Sequence, residues 1–144
     1  MRWRLIDSAT QTYVVVLDVG DEAFGQLSDF AREQELTAAQ VTAIGAFERA
    51  TVGWFYRQAK QYRPIQVDEQ CEVLSLLGDV ALGPDGPQLH LHAVLGLRDG
   101  TARGGHLLEG HVWPTLEVII RETPAELRKT DRPDIGLALI DLER

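Results

Sequence analysis

The chain has 144 residues, 44% of them hydrophobic and 25% charged, a size and balance that fit one ordinary globular domain, 1–144, and exclude a disordered chain. Twenty-two acidic against 14 basic residues give a formal charge of -8, which repels phosphate backbones at long range and disfavours nucleic acid as a partner. No stretch approaches the roughly 18 apolar residues of a membrane span, the N-terminus lacks a secretory core, and the lone Cys71 cannot close an internal disulfide, so a cytoplasmic protein with no membrane partner is expected.

Residues 12–17 (TYVVVL) are rich in β-branched and aromatic side chains and predict a strand that turns at Asp18-Val19-Gly20. Residues 22–34 (EAFGQLSDFAREQ) place Phe24, Leu27, Phe30 and Ala31 at helical spacing, with Asp21 and Glu22 at the favourable end of the dipole. Gly25 inside that helix costs about 1 kcal/mol against alanine and implies close packing. Residues 41–56 return to a strand pattern in which Gly45 marks a bulge or bend, leaving one strand or two as alternatives. Residues 61–70 are polar and contain Pro64, which suits a loop or an edge strand. Residues 71–82 (CEVLSLLGDVAL) could form a helix by their leucines, but Gly78 and the turn that follows favour two short strands, with Cys71 a buried, reduced thiol.

Turn formers at residues 83–87 and at Arg98-Asp99-Gly100 bracket a strand over residues 88–97. Residues 115–121 (TLEVIIR) predict another. Residues 123–128 look like a short helical turn with Thr123 as N-cap and Pro124 at the first helical position, and residues 135–142 predict a last strand.

All four histidines fall within LHLHAVLGLRDGTARGGHLLEGH, 23 positions from Leu89 to His111. Along residues 88–97 the leucines and Ala93 share one face, while His90, His92 and Val94 share the other. Two strand steps of roughly 3.3 Å set the two histidine Cα atoms about 6.6 Å apart, within reach of one metal ion. His106, after Gly104 and Gly105 on the return limb of the hairpin, is the third candidate ligand, and His111 is a weaker fourth. Three imidazoles with an open position suit zinc best, with nickel, copper or iron as alternatives. The plainer alternative is a hairpin whose histidines are solvated or bonded to carboxylates such as Glu109 and Glu117, and spacing alone does not separate the two. Glu117, in the middle of TLEVII, is either an outward-facing carboxylate or an outer partner that orients a ligand histidine. A catalytic reading would add Glu109 or Glu117 as a proton carrier for a metal-activated water. No GxSxG, phosphate loop or HExxH accompanies it, so whether the chain is an enzyme stays open.

The segments AIGAFERATVGWF (residues 43–55) and LHLHAVLGLRDGTARGGHLLEGHVWPTLEVII (residues 89–120) resemble the plant- and prokaryote-conserved domain, the PPC domain. Its typical run is HxH, a DG turn, GGHL, and a strand with a central glutamate, and the likeness covers essentially the whole chain. The resemblance implies a compact single α/β (α+β) domain with a mainly antiparallel mixed sheet and one or two helices, assembled as a homotrimer. It further implies a divalent metal at His90, His92 and His106, with Glu117 as the glutamate of the late strand, and it carries no role to His111. Members are often described as DNA-binding; in nuclear plant proteins a basic AT-hook precedes the domain, whereas this sequence begins MRWRLIDSATQ. Its one basic cluster, Arg128, Lys129 and Arg132, is interrupted by Asp131 and Asp134 and reads as a solvated C-terminal loop. Trp3, Trp54, Phe55 and Trp113 are either core aromatics or apolar groups for a partner subunit to cover.

Overall fold

The computed structural model describes residues 1–143. In chain order the elements are β1 (Arg2–Asp7), β2 (Thr12–Leu17), α1 (Ala23–Glu33), β3 (Ala38–Tyr56), β4 (Gln61–Val67), β5 (Cys71–Gly83), β6 (Gly86–Gly96), β7 (Ala102–Glu122), β8 (Arg128–Arg132) and β9 (Leu137–Asp141). The described strands form one sheet, antiparallel except where β5 meets β8 through Leu82 and Arg128. This is the compact, mainly antiparallel domain expected, with a single helix.

Alternation builds the core. Tyr13, Val15 and Leu17 of β2 point inward, as do Leu91, Ala93 and Leu95 of β6 and Leu116, Val118 and Ile120 of β7. Strand β3 pairs with β5 and with β7, and β6 pairs with both β5 and β7, so these four long strands close a circuit around the buried side chains. Helix α1 packs against β6 and β7 and buries Leu27, Phe30 and Ala31. Burial of Phe30 alone is worth about 1.5–3 kcal/mol relative to exposure. Glu22 caps the helix by accepting from the backbone N–H groups of Phe24 (3.0 Å) and Gly25 (2.7 Å). A Cβ on Gly25 would lie 2.9 Å from that capping carboxylate, which accounts for a glycine inside a helix.

Several elements differ from the sequence expectation. Strand β1 was not anticipated, because every one of its residues is exposed and none carries an alternating signal. Residues 41–56, left as one strand or two, belong to one, and Gly45 stands at the expected irregularity, a register shift where an added Cβ would lie 2.2 Å from the Thr115 carbonyl oxygen. Residues 71–83 are likewise one strand rather than two: Gly78 does not break it but lets β6 close in, since a Cβ there would meet the His90 carbonyl oxygen at 2.0 Å. Residues 123–128 form no helical turn. The Thr123 N–H donates to Ala38 O (2.7 Å) and the Leu127 N–H to Thr37 O (3.3 Å), so tertiary contacts take the donors a cap would have used. The basic cluster lies on β8, not in a solvated loop, and the Lys129 side chain is largely covered there. Cys71 is free and buried, and burial pushes its thiol above the ordinary range, as suits a structural residue. No described helix is long and apolar enough to cross a membrane.

Candidate metal centre

Three of the four histidines converge. Strand register places His92 directly opposite His106, and His90 two residues earlier on the same outward face of β6. One ring nitrogen from each of His90, His92 and His106 lies within 4.8 Å of the others, and the His90 and His92 Nε2 atoms are 3.1 Å apart. Nitrogens bound at 2.0–2.1 Å around a tetrahedral zinc would be about 3.4 Å apart, so small ring rotations suffice to bring the set onto one ion.

Glycines let these strands meet. A Cβ on Gly104 would lie 2.9 Å from Ala93 O, and one on Gly105 would lie 2.5 Å from Gly53 O. Gly53, opposite His106 on β3, leaves room for Tyr62 of β4, whose ring an added Cβ would approach to 2.9 Å. Tyr62 in turn stacks on His106 at 4.5 Å between centroids and fixes the plane of that imidazole.

The electrostatics fit a cation bound through neutral imidazoles. Burial, with the neighbouring His90, His92 and Lys129, pulls the His106 pKa down to about 4. Burial and His90 lower His92 as well. His106 Nδ1 is buried and has no hydrogen-bond partner, a costly state for a ring nitrogen.

A carboxylate also reaches the cluster, and it comes from β5. Asp79 pairs in register with His90, and its Oδ2 lies 3.4 Å from His90 Nδ1. Its Oδ1 lies 3.3 Å from Lys129 Nζ, at ion-pair distance but without an aligned hydrogen bond. Burial opposes ionisation of Asp79, yet the His90 hydrogen bond and the Lys129 charge outweigh it and hold the carboxyl below the ordinary range. One arrangement of protons satisfies these contacts: His90 Nδ1–H donates to Asp79, and His90 Nε2 accepts from His92 Nε2–H.

The other expected participants lie elsewhere. Glu117 is exposed on β7, eleven residues from His106, opposite Val16 and Ile44, which is the outward-facing one of its two alternatives. His111 accepts or donates at 2.5 Å with Glu109, away from the three rings, and Glu109 is therefore not at the cluster either. Asp79, Lys129 and Tyr62 were not found from sequence. Asp79 was within reach: stepping four residues outward along both limbs from the paired Gly83 and Gly86 puts it opposite His90. Lys129 and Tyr62 depend on pairings made by strands remote in sequence.

The Plants and Prokaryotes Conserved (PCC) domain matches residues 5–124. A plant- and prokaryote-conserved (PPC) protein of Pyrococcus horikoshii is 29% identical, with a TM-score of 0.84 over 90% of each chain. A metal-containing protein of Archaeoglobus fulgidus is 31% identical, with a TM-score of 0.82 over 90% of this chain and 91% of that one. A Bacteroides thetaiotaomicron protein described as a candidate DNA-binding protein is 27% identical, with a TM-score of 0.92 over 99% of this chain and 98% of that one. No curated protein matches the chain.

Proposed function

This chain belongs to the Plants and Prokaryotes Conserved (PCC) domain family, and we propose that it is a cytoplasmic, homotrimeric member that binds one divalent metal ion, zinc by its donor set, through His90, His92 and His106. The observation that carries this reading is the convergence of three ring nitrogens within 4.8 Å, one of the rings keeping a buried nitrogen without a partner. The metal-containing relative from Archaeoglobus fulgidus supports it. Three neutral imidazoles leave a coordination position for water or for an oxygen- or nitrogen-bearing ligand. The chain's own part is to present the rings from two strands of a packed sheet, to wall one of them with Tyr62, and to disfavour protonation of His92 and His106 by burial. Metal analysis of the untagged protein, purified without chelator, tests the reading against His92→Ala. About one ion per chain, lost in the variant, is expected; full retention by the variant would sink the assignment.

Support for the homotrimer comes from the outward face of the sheet. Ile44, Leu74, Leu77, Val94 and Ile119 are exposed there, with Leu77 in register with His92. Exposed apolar side chains of this kind are ones that a second copy would cover.

DNA binding is the second reading, favoured by the description of the Bacteroides thetaiotaomicron relative. The net charge of -8 opposes it, and within the basic cluster Arg128 pairs with Glu126 and Arg132 with Asp134. Binding that weakens steeply with salt would support that reading, and no binding at low salt would remove it.

A further inference from the structure

The support of the histidine cluster extends beyond the part of the chain that matches the family. Asp79 stands on β5, directly across from His90, with one carboxylate oxygen 3.4 Å from His90 Nδ1 and the other 3.3 Å from Lys129 Nζ. The Lys129 side chain is only 6% exposed, and its ammonium also lies 3.5 Å from Gln88 O. It belongs to the β8–β9 hairpin, which follows residue 124, where the family match ends. That hairpin is tied to the rest through the Leu82 N–H donating to Leu127 O at 2.8 Å and through the parallel bridge from Leu82 to Arg128.

We propose that Asp79 is a positioning residue for His90 and that Lys129, from the C-terminal hairpin, holds Asp79 in place. The inference rests on the metal reading above for its purpose, while its geometry stands on the distances among Asp79, His90 and Lys129 themselves. A histidine that offers Nε2 to a cation must carry its proton on Nδ1 and keep its ring from turning over. An ionised carboxylate opposite Nδ1 does both. It leaves His90 Nε2 facing the Nε2 of His92, 3.1 Å away. Asp79 is itself half-buried, and a carboxylate there needs a fixed counter-charge. Lys129 supplies one from a strand that carries no ligand, so the hairpin takes part in a site built by β6 and β7. If the Asp79–Lys129 pair served only to join β5 to β8, the proton position on His90 would be indifferent to it.

The test is long-range proton–nitrogen NMR on the ring nitrogens of His90 in the full, metal-free chain at neutral pH. A chelator-competition titration with zinc accompanies it. In the wild type His90 carries its proton on Nδ1. Asp79→Ala loses that preference and weakens zinc binding 10–100-fold. Asp79→Asn, which keeps an acceptor oxygen, retains the proton position and most of the affinity, and Lys129→Met weakens zinc in the same direction as Asp79→Ala. A wild-type His90 protonated on Nε2 would overturn the proposal whatever the variants do. So would unchanged proton position and affinity in Asp79→Ala; an unaffected Lys129→Met would overturn the part assigned to the hairpin. A wild-type chain that takes up no zinc, yet holds the Nδ1 proton only when Asp79 is present, would overturn the metal reading and uphold the positioning. Zinc bound equally with and without Asp79 would do the reverse.

Discussion

His92 on β6 and His106 on β7 are direct cross-strand partners, with ring centroids 5.6 Å apart. Residues opposed in an antiparallel pair share a face at fixed spacing, so sheet register, and not a loop, determines how these imidazoles meet. His90 joins them by the two-residue period of its strand, and its ring lies 4.9 Å from that of His92. A site mounted on strands is held before any ligand arrives, which lowers the cost of assembling it.

Zinc should stabilise the folded chain through this cluster alone. At a free concentration one hundred times the Kd the gain is about 2.7 kcal/mol, seen as a rise in Tm that grows with zinc concentration. His106→Ala should abolish the rise while leaving the metal-free Tm close to that of the wild type, because the residue removed is one with an unsatisfied nitrogen. Thermal denaturation with and without zinc checks this. A variant that keeps the full rise would exclude His106 as a ligand.

Gly78→Ala should destabilise the protein and disturb His90 together. The added Cβ would sit 2.0 Å from His90 O and 2.7 Å from the Leu91 side chain, so β5 and β6 must separate. Overpacking of this kind costs about 1–3 kcal/mol. The urea midpoint should fall and zinc affinity should weaken. Gly100→Ala, at a positive φ but with nothing within 4 Å of the added atom, should lower stability without touching the metal site. Equal zinc affinity in wild type and Gly78→Ala would contradict the account of that glycine.

The metal-free chain should lose stability on acidification in a window set by His106. Its folded pKa is lowered to about 4 from 6.5 by burial and by His90, His92 and Lys129. Between those values the unfolded chain binds the proton and the folded chain does not, so stability rises with pH. The contribution is complete above about 6.5 and is lost as pH falls toward 4. His92, shifted in the same direction, adds with the same sign. Asp79, whose carboxyl is held below its ordinary 3.8, contributes only to losses at lower pH. Urea midpoints measured in chelator across this range should give a flatter profile for His106→Gln than for the wild type. Parallel profiles would refute the assignment.

The apolar outward face should control assembly. Light scattering should return three times the chain mass of 16.0 kDa for the wild type. Leu77→Asp, which puts a charge on a side chain 56% exposed in the single chain, should shift the mass toward the monomer without unfolding it. A monomeric wild type would remove the trimer from the proposal.

What the sequence made legible was local. The HxH pair follows from strand period, and the third ligand from a hairpin whose return limb carries GGH, so both could be read from spacing. The helix was equally plain, because Leu27, Phe30 and Ala31 recur at helical spacing on the face it buries. Long-range pairing hid the rest. Gly78 looked like a strand break because its reason, the approach of the His90 carbonyl, lies on another strand. Thr123-Pro124 looked like a helix start, but Ala38 and Thr37 claim the backbone donors that follow. Lys129 looked like a solvated charge because neither Asp79 nor Gln88 is near it in sequence. Glu117 drew attention as a carboxylate among apolar residues, yet the alternation of β7 turns it outward, next to Ile44 rather than toward a histidine.

The most direct measurement is anomalous diffraction at the zinc absorption edge from crystals of the zinc-loaded protein. A single peak about 2.0–2.1 Å from one nitrogen of each of His90, His92 and His106 is the predicted result. No peak among those rings, or a peak held instead between His111 and Glu109, would contradict the central claim.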